Sequence, residues 1–275
     1  MLWVLVAPVL YLVYCLLDPT PRRGGLASSY FQKLKFWRRL LDALFPNSQI
    51  VAPHVIPATP HMFAAFPHGA ATCSHFMTMT DAYSFLSKVH PFPRRDLAAS
   101  ILFYVPFLRE LLLLLGNVDA SAKTAEYNLA KGRSILIFVG GEREQLLASP
   151  GVQQVYLNSR KGFVKLALKY QTPLVPMYCF GEVDTYVLLK PPGWLAKLRH
   201  WVCVHLHIVI PLALHLKPRP VSLRLCVGEP LPCPVRMVEE MTPAVIDAYH
   251  ARFVEALREL YNKHRGPLDP DLIVT

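Results

Sequence analysis

The chain has 275 residues, enough to bury a sizeable core in one large domain or two small ones, and too long and apolar for a small disulfide-framed fold. Hydrophobic residues make up 53%, mean hydropathy is +0.29, and 29 Lys and Arg against 19 Asp and Glu leave a net charge of +10. Oily and basic together point to a membrane surface or a polyanionic ligand. Nucleic acid is set aside, because the chain has no zinc-finger spacing, no glycine-aromatic RNA-binding signature and no block of consecutive basic residues. Cys15, Cys73, Cys179, Cys203, Cys226 and Cys233 are scattered without a C-x-x-C pair, which reads as a reducing, cytosol-facing compartment.

The chain opens on MLWVLVAPVLYLVYCLL, residues 1–17, which carries no charge and is followed by Arg22 and Arg23. This run is expected to be a short membrane anchor or re-entrant segment with its far flank on the cytosolic side. TPRRGGLASS reads as a linker, and FQKLKFWRRLLDALF as a basic amphipathic helix at an interface. Together residues 18–39 form the link between the anchor and a catalytic domain expected over 40–268, and 269–275 read as a tail. HMFAAF reads as a buried strand, with a helix expected from Gly69 to Leu86, directly behind His68. LAASILFYVPFLRELLLLLG is apolar enough to cross a bilayer, yet Pro106 and the Arg109–Glu110 pair inside it assign it to the domain. SILIFVG and TPLVPMYCF read as buried parallel strands, KGFVKLALKY as a helix between them and VSLRLCVGEPLP as a further strand. Thr242, Pro243 and the spacing of Ile246, Tyr249, Phe253, Leu257 and Leu260 predict a long amphipathic helix near the end. The alternation predicts an α/β fold with a mostly parallel central sheet flanked by helices. No internal repeat is present.

Four strand-to-turn corners carry the candidate chemistry: FPHG at 66–69, VGGEREQL at 139–146, NSRKGF at 158–163 and FGEVD at 180–184. Ligands in open α/β sheets gather beyond the C-terminal strand ends, so these corners are expected to line one cleft. In the first, Pro67 and Gly69 cut a sharp turn with His68 at its apex. Histidine is the side chain best matched to removing a proton at neutral pH, and the helix expected behind it would offer N–H groups to a developing oxyanion. His61, His75 and His90 read as structural.

LFP at 44–46, FPHG, GGEREQL, RKGFVKLAL and LVPMYCFGE, followed by VGEPLPCP and YHARFVEALRELYNKHR, resemble the type 2 diacylglycerol acyltransferase family in order and spacing, over about Leu40 to Leu268. That family includes monoacylglycerol and wax-alcohol acyltransferases. The resemblance implies acyl-CoA-dependent esterification of a lipid hydroxyl, at the endoplasmic reticulum membrane with the domain facing the cytosol, or at a lipid droplet. It implies acyl-CoA as a substrate, with no metal or prosthetic group, and neutral acylglycerol and membrane lipid as partners. His68 is then the general base. Related glycerolipid acyltransferases pair this histidine with an aspartate five positions on, where Cys73 stands here, so Glu144 is the candidate to orient the ring, with Glu142 and Glu182 behind it. Pro67, Gly69, Gly140, Gly141, Arg160, Lys161, Gly162, Phe180, Gly181 and Glu182 are the candidate substrate-binding residues, with Arg160 and Lys161 expected at the CoA phosphates. The chain departs from the family pattern at Phe66, where a histidine or glutamate is usual, at Val183, where an asparagine is usual, and in having one short apolar run in place of a pair.

Diacylglycerol is the expected acceptor, buried among Phe66, Phe76 and apolar helices, with monoacylglycerol or a fatty alcohol as alternatives. Arg143 is the one residue of these turns that could instead grip a phosphorylated acceptor. The rival readings are a non-catalytic lipid-surface or lipid-transfer protein and a thioesterase that passes the acyl group to water.

Overall fold

The strand formed by MFAAF is buried along its whole length, and the sheet grows outward from it on both sides. The computed structural model describes residues 2–189, 192–206, 214–234 and 240–275, with the backbone alone for 2–5, 199–200 and 202–206. Met1 of the expected anchor and the Cys203 thiol therefore lie outside the described residues.

The first half of the chain forms α1 (Leu2–Leu17), α2 (Thr20–Arg23), α3 (Ser29–Gln32), α4 (Lys35–Leu44), β1 (Gln49–Val51), β2 (Met62–Phe66), α5 (His75–Met79), β3 (Arg94–Ala98), α6 (Leu108–Leu114) and β4 (Asn117–Asp119). The second half forms α7 (Ala122–Ala130), β5 (Ser134–Phe138), α8 (Gly141–Leu147), β6 (Gln154–Val155), α9 (Gly162–Lys169), β7 (Leu174–Phe180), α10 (Gly193–Leu206), β8 (Arg224–Val227), α11 (Pro243–His264) and β9 (Ile273–Val274).

Seven strands make one sheet in the order β1-β8-β7-β2-β5-β3-β4. Every pair is parallel except β7 with β8, so the expected mostly parallel sheet is present. Alternation along β2 divides the core. Met62, Ala64 and Phe66 face a layer containing α7, α9 and α11, while Phe63 and Ala65 face Leu41 of α4 and Met77 of α5. Helices thus cover both faces, which explains why the central strands read as continuous apolar runs. The last long helix starts where its sequence says: the Val245 N–H donates to Thr242 Oγ1 at 3.3 Å, and the five spaced apolar residues from Ile246 to Leu260 are buried.

The N-terminal region departs from its sequence pattern in the linker and in the helix that follows it. At 16 residues α1 is about 24 Å long, short of the roughly 30 Å of a bilayer core. No helix among the described residues is long and apolar enough to cross a membrane. α1 meets the domain where Tyr11 bonds Glu110 at 2.6 Å and Asp18 pairs with the buried Arg109, while Val9, Leu10, Val13, Leu16 and Leu17 face outward. Arg109 of the long apolar run is thus buried in an ion pair, while the Glu110 side chain beside it is 42% exposed. The expected linker is packed: Gly25 adopts a φ of +64° with Asn117 O 3.1 Å from where a Cβ would sit, and the Ser28 N–H reaches Leu114 O at 2.8 Å. The expected amphipathic helix is broken at Lys33 and Leu34 into α3 and α4, because Trp37 folds back so that its Nε1–H reaches Phe31 O at 2.7 Å.

A buried ionic cluster ties β3 to α5. Arg94 Nε donates to Asp96 Oδ1 at 2.6 Å, Arg94 Nη2 to Thr78 O at 2.8 Å, and His75 Nε2 meets Asp96 Oδ2 at 3.0 Å. Burial pushes the Asp96 carboxyl up, but Arg94 and the His75 bond outweigh it and hold the group below the ordinary carboxylate range. Asp96→Ala would strand two buried partners, so denaturant unfolding in detergent should register a loss of about 3–5 kcal/mol. A loss below about 1 kcal/mol would show that the cluster contributes little.

Candidate active site

His68 stands just beyond the C-terminal end of β2, after a cis Phe66–Pro67 bond, and is half-buried. Its Nδ1 lies 3.1 Å from Gly69 O. A carbonyl oxygen only accepts, so Nδ1 carries the proton in this bond and Nε2 keeps its lone pair. Burial is the largest influence on the ring and lowers its pKa. His75 adds to that, the Gly69 carbonyl and Glu142 oppose it, and the ring ends below the ordinary histidine value. The result is a neutral imidazole at neutral pH with one nitrogen available to take a proton. One edge contact fixes it further, with Phe138 at 5.8 Å between ring centroids, and His75 packs on the same phenyl ring at 5.4 Å.

Two buried glutamates hold the turn that carries this ring. Glu144, 2% exposed on α8, accepts from the His68 backbone N–H through Oε1 and from the Tyr156 N–H at 2.8 Å through Oε2. Glu182, fully buried after β7, accepts from the Cys73 and Ser74 N–H groups at 2.7 Å each. Gln145 adds a third tie, from Nε2 to Ala70 O at 2.5 Å. Close approach explains the glycines: a Cβ on Gly69, whose φ is +58°, would lie 2.9 Å from Glu182 Cγ, and one on Gly140 would lie 2.0 Å from Glu144 Oε2. The four corners do meet, since Arg160 Nη2 also donates to Gly140 O at 3.1 Å.

Several expectations change in detail. Glu144 reaches the backbone of His68 and not its ring, so its role is to position the corner. The helix expected directly behind His68 is a turn followed by the five residues of α5, because Glu182 captures the amides of Cys73 and Ser74. Those two N–H groups are therefore not available to an oxyanion. Phe66 and Phe180 point into the core, packing on Phe253 at 6.3 Å and stacking on Tyr261 at 5.2 Å, so neither lines a substrate surface. Val183 is likewise buried. Lys161 pairs with Asp247 at 2.7 Å, which leaves Arg160 as the cation of that corner turned toward Gly140. Gly141 has a φ of +56° and opens α8, Gly162 opens α9 with open space around it, and Gly181 turns the chain after β7 at a φ of +88°. Pro67 is buried beneath His68.

Tyr156 is the residue that sequence reasoning missed. Its ring lies under the guanidinium groups of Arg143 at 5.6 Å and Arg160 at 5.2 Å, and its hydroxyl accepts from Arg143 at 2.8 Å. The Ser159 hydroxyl bond first, then Arg143 and Arg160, lower its pKa, and the two arginines make a basic rim beside the corner. No sequence spacing announces it, since Arg143 and Tyr156 belong to different elements. His61 and His90 are themselves buried and have the partners of structural residues, Thr59 O at 2.7 Å and Ser134 Oγ at 2.8 Å.

The family model for diacylglycerol acyltransferase matches residues 1–272. The chain belongs to the diacylglycerol acyltransferase family. It is an acyltransferase. Among its relatives, acyl-CoA wax alcohol acyltransferase 2 of Mus musculus is 30% identical over 94% of this chain and 81% of the relative. Diacylglycerol O-acyltransferase 2 of Homo sapiens is 33% identical over 94% of this chain and 70% of the relative. Acyl-CoA wax alcohol acyltransferase 1 of Homo sapiens is 32% identical over 96% and 84%. The crystal structure of the 1-acyl-sn-glycerophosphate (LPA) acyltransferase PlsC from Thermotoga maritima shares the fold, with a TM-score of 0.50 at 17% identity over 84% of this chain and 78% of that one.

Burial pushes both Glu144 and Glu182 from 4.5 up to about 7, against the pull of their amide donors. Between these pH values the folded state holds protons that the unfolded chain has released. Their stabilising contribution is therefore complete below about pH 4.5 and is lost as pH rises through about 7. Unfolding free energy measured across that window should fall less steeply for Glu182→Gln than for the parent. Identical slopes would show that Glu182 does not titrate there.

Proposed function

We propose that this chain transfers the acyl group of acyl-CoA to the hydroxyl of a neutral lipid, with diacylglycerol as the acceptor and His68 as general base. Family membership carries the reaction class. The observation that carries the base is the His68 ring, whose Nδ1–H is committed to Gly69 O and whose Nε2 is left as the acceptor. In the reaction the lipid oxygen attacks the thioester carbonyl carbon while Nε2 takes the hydroxyl proton. The carbon–sulfur bond then breaks, and the same proton passes to the departing CoA thiolate. The lowered basicity of the ring suits both halves, because it is neutral before attack and a ready donor afterwards.

Arg160, with Arg143 and Tyr156 beside it, supports a place for the CoA phosphates on the basic rim, where cations favour a polyanion. Lys161 is a weaker candidate because Asp247 already neutralises it. With Phe66 turned into the core, the apolar acceptor is more readily received near Phe138 and Phe76, which are only partly buried. A location at the endoplasmic reticulum membrane or a lipid droplet, facing the cytosol, is favoured by the outward apolar face of α1 and the exposed Phe107 and Ile101 close to it in the fold.

With labelled acyl-CoA and diacylglycerol, His68→Ala should reduce transfer by about 10² to 10⁴-fold with membrane association unchanged. Activity within about tenfold of the parent would exclude the general-base role. Offering diacylglycerol, monoacylglycerol, fatty alcohol and lysophosphatidate together should direct label to triacylglycerol. Label found mainly in phosphatidate, and lost selectively in Arg143→Ala, would reverse the neutral-acceptor reading.

A further inference from the structure

Residues 153–158 run between the end of the chain and Glu144, and the two edges of this short strand are used differently. On one edge the Ile273 N–H donates to Gln153 O at 2.9 Å, the Thr275 N–H to Val155 O at 2.9 Å, and the Leu157 N–H to Thr275 O at 2.7 Å. Asn158 adds its own N–H to Thr275 O at 2.9 Å and its side-chain amide to Val274 O at 3.2 Å. Within the extended run the residues engaged on this edge are 153, 155 and 157, and Asn158 joins them where the chain turns. Strand alternation sends the N–H of the residue between 155 and 157 to the opposite edge. That residue is Tyr156, and its N–H is the donor to Glu144 Oε2 at 2.8 Å. The other oxygen of the same carboxylate holds the His68 N–H. A continuous path of hydrogen bonds therefore runs from residues 273–275 through the backbone of β6 and the Glu144 carboxylate to the turn that carries His68.

We infer that residues 273–275 are a positioning strap for His68, acting by holding the Tyr156 N–H against Glu144. Nothing in the strap touches substrate. Its first effect is on the placement of β6, which the Tyr178 hydroxyl also secures by donating to Gln153 Oε1 at 2.6 Å. Preceding residues hold the strap in reach: the Tyr261 hydroxyl donates to Pro270 O, Arg265 pairs with Asp271, and the Gly266 N–H reaches Asp269 Oδ2 at 2.6 Å. The side chain of Ile273 is half-exposed, so Ile273 acts through its backbone, while Val274 also packs on the core and the Thr275 hydroxyl donates to Val155 O at 3.1 Å. The inference rests on the acyl-transfer reading with His68 as base for its kinetic consequence, but not for its structural one.

The test compares the full chain with a form lacking residues 273–275 and with Ile273→Pro, which removes the N–H given to Gln153 and fixes φ, as extended backbone tolerates. Deletion should lower kcat about tenfold to a hundredfold, as a small misplacement of a reacting group does. Ile273→Ala, which keeps the N–H, should lose less than Ile273→Pro. Equal losses in the two would place the effect in side-chain packing and overturn the proposal. Deleting the strap from Glu144→Gln should cost little further kcat, because the path is already cut. Losses that simply multiply would mean that the strap acts elsewhere and would likewise overturn it. Hydrogen exchange over residues 64–74 supplies a readout independent of catalysis: the His68 amide should lose protection when the strap is deleted and the fold is retained. Unchanged protection would reject the strap even if the acyltransferase assay succeeds. Absence of transfer by the intact chain would reject the function alone.

Discussion

One carboxylate joins three distant parts of the chain. Glu144 lies buried on α8 and accepts one N–H from the turn after β2 and another from the segment after β6. Two backbone donors are near the minimum that makes a buried carboxylate tolerable, since burying one unpaired is far costlier than the bonds it forms in return. Its position then constrains the neighbours. Gly140 must lack a side chain, Arg160 closes over the Gly140 carbonyl, and the His68 turn is held just beyond the end of β2. Glu182 repeats the device from β7 on the far side of the same turn. The histidine is placed by its backbone, from both flanks, while its ring keeps one nitrogen free.

Departures from the family pattern acquire physical meaning in this setting. Where related enzymes orient the histidine with a carboxylate five positions later, Cys73 presents its backbone N–H to Glu182, and burial and the nearby Glu182 charge keep its thiol protonated. Orientation of the ring passes instead to the Gly69 carbonyl and the Phe138 face. Phe66 and Val183 occupy core positions, so the changes there alter packing behind the corner and not the surface that a substrate meets.

Local pattern made much of this fold legible in the sequence. Buried strands such as SILIF and LVPMYCF and the capped final helix declare themselves by runs and spacing that need only nearby residues. The Pro-His-Gly corner is legible for the same reason, since both flanking residues restrict the backbone directly. Long-range partners were not legible. The helix expected after His68 is cut short by a glutamate more than a hundred residues away, Lys161 is neutralised by Asp247, and β9 is a two-residue strand that no periodicity can mark. The facing of Phe66 and Phe180 was hidden too, because a strand buried on both sides shows no alternation to read.

The contact between Gly140 and Glu144 also orders how this site can change over time. A side chain gained at position 140 would occupy the space of the Glu144 carboxylate, so it is tolerable only in a background where residue 144 has already become smaller. Shortening residue 144 first avoids the clash, at the cost of leaving the His68 and Tyr156 N–H groups without their acceptor. The two positions are thus joined by a one-way path, and drift at the glycine is contingent on prior loss of the glutamate.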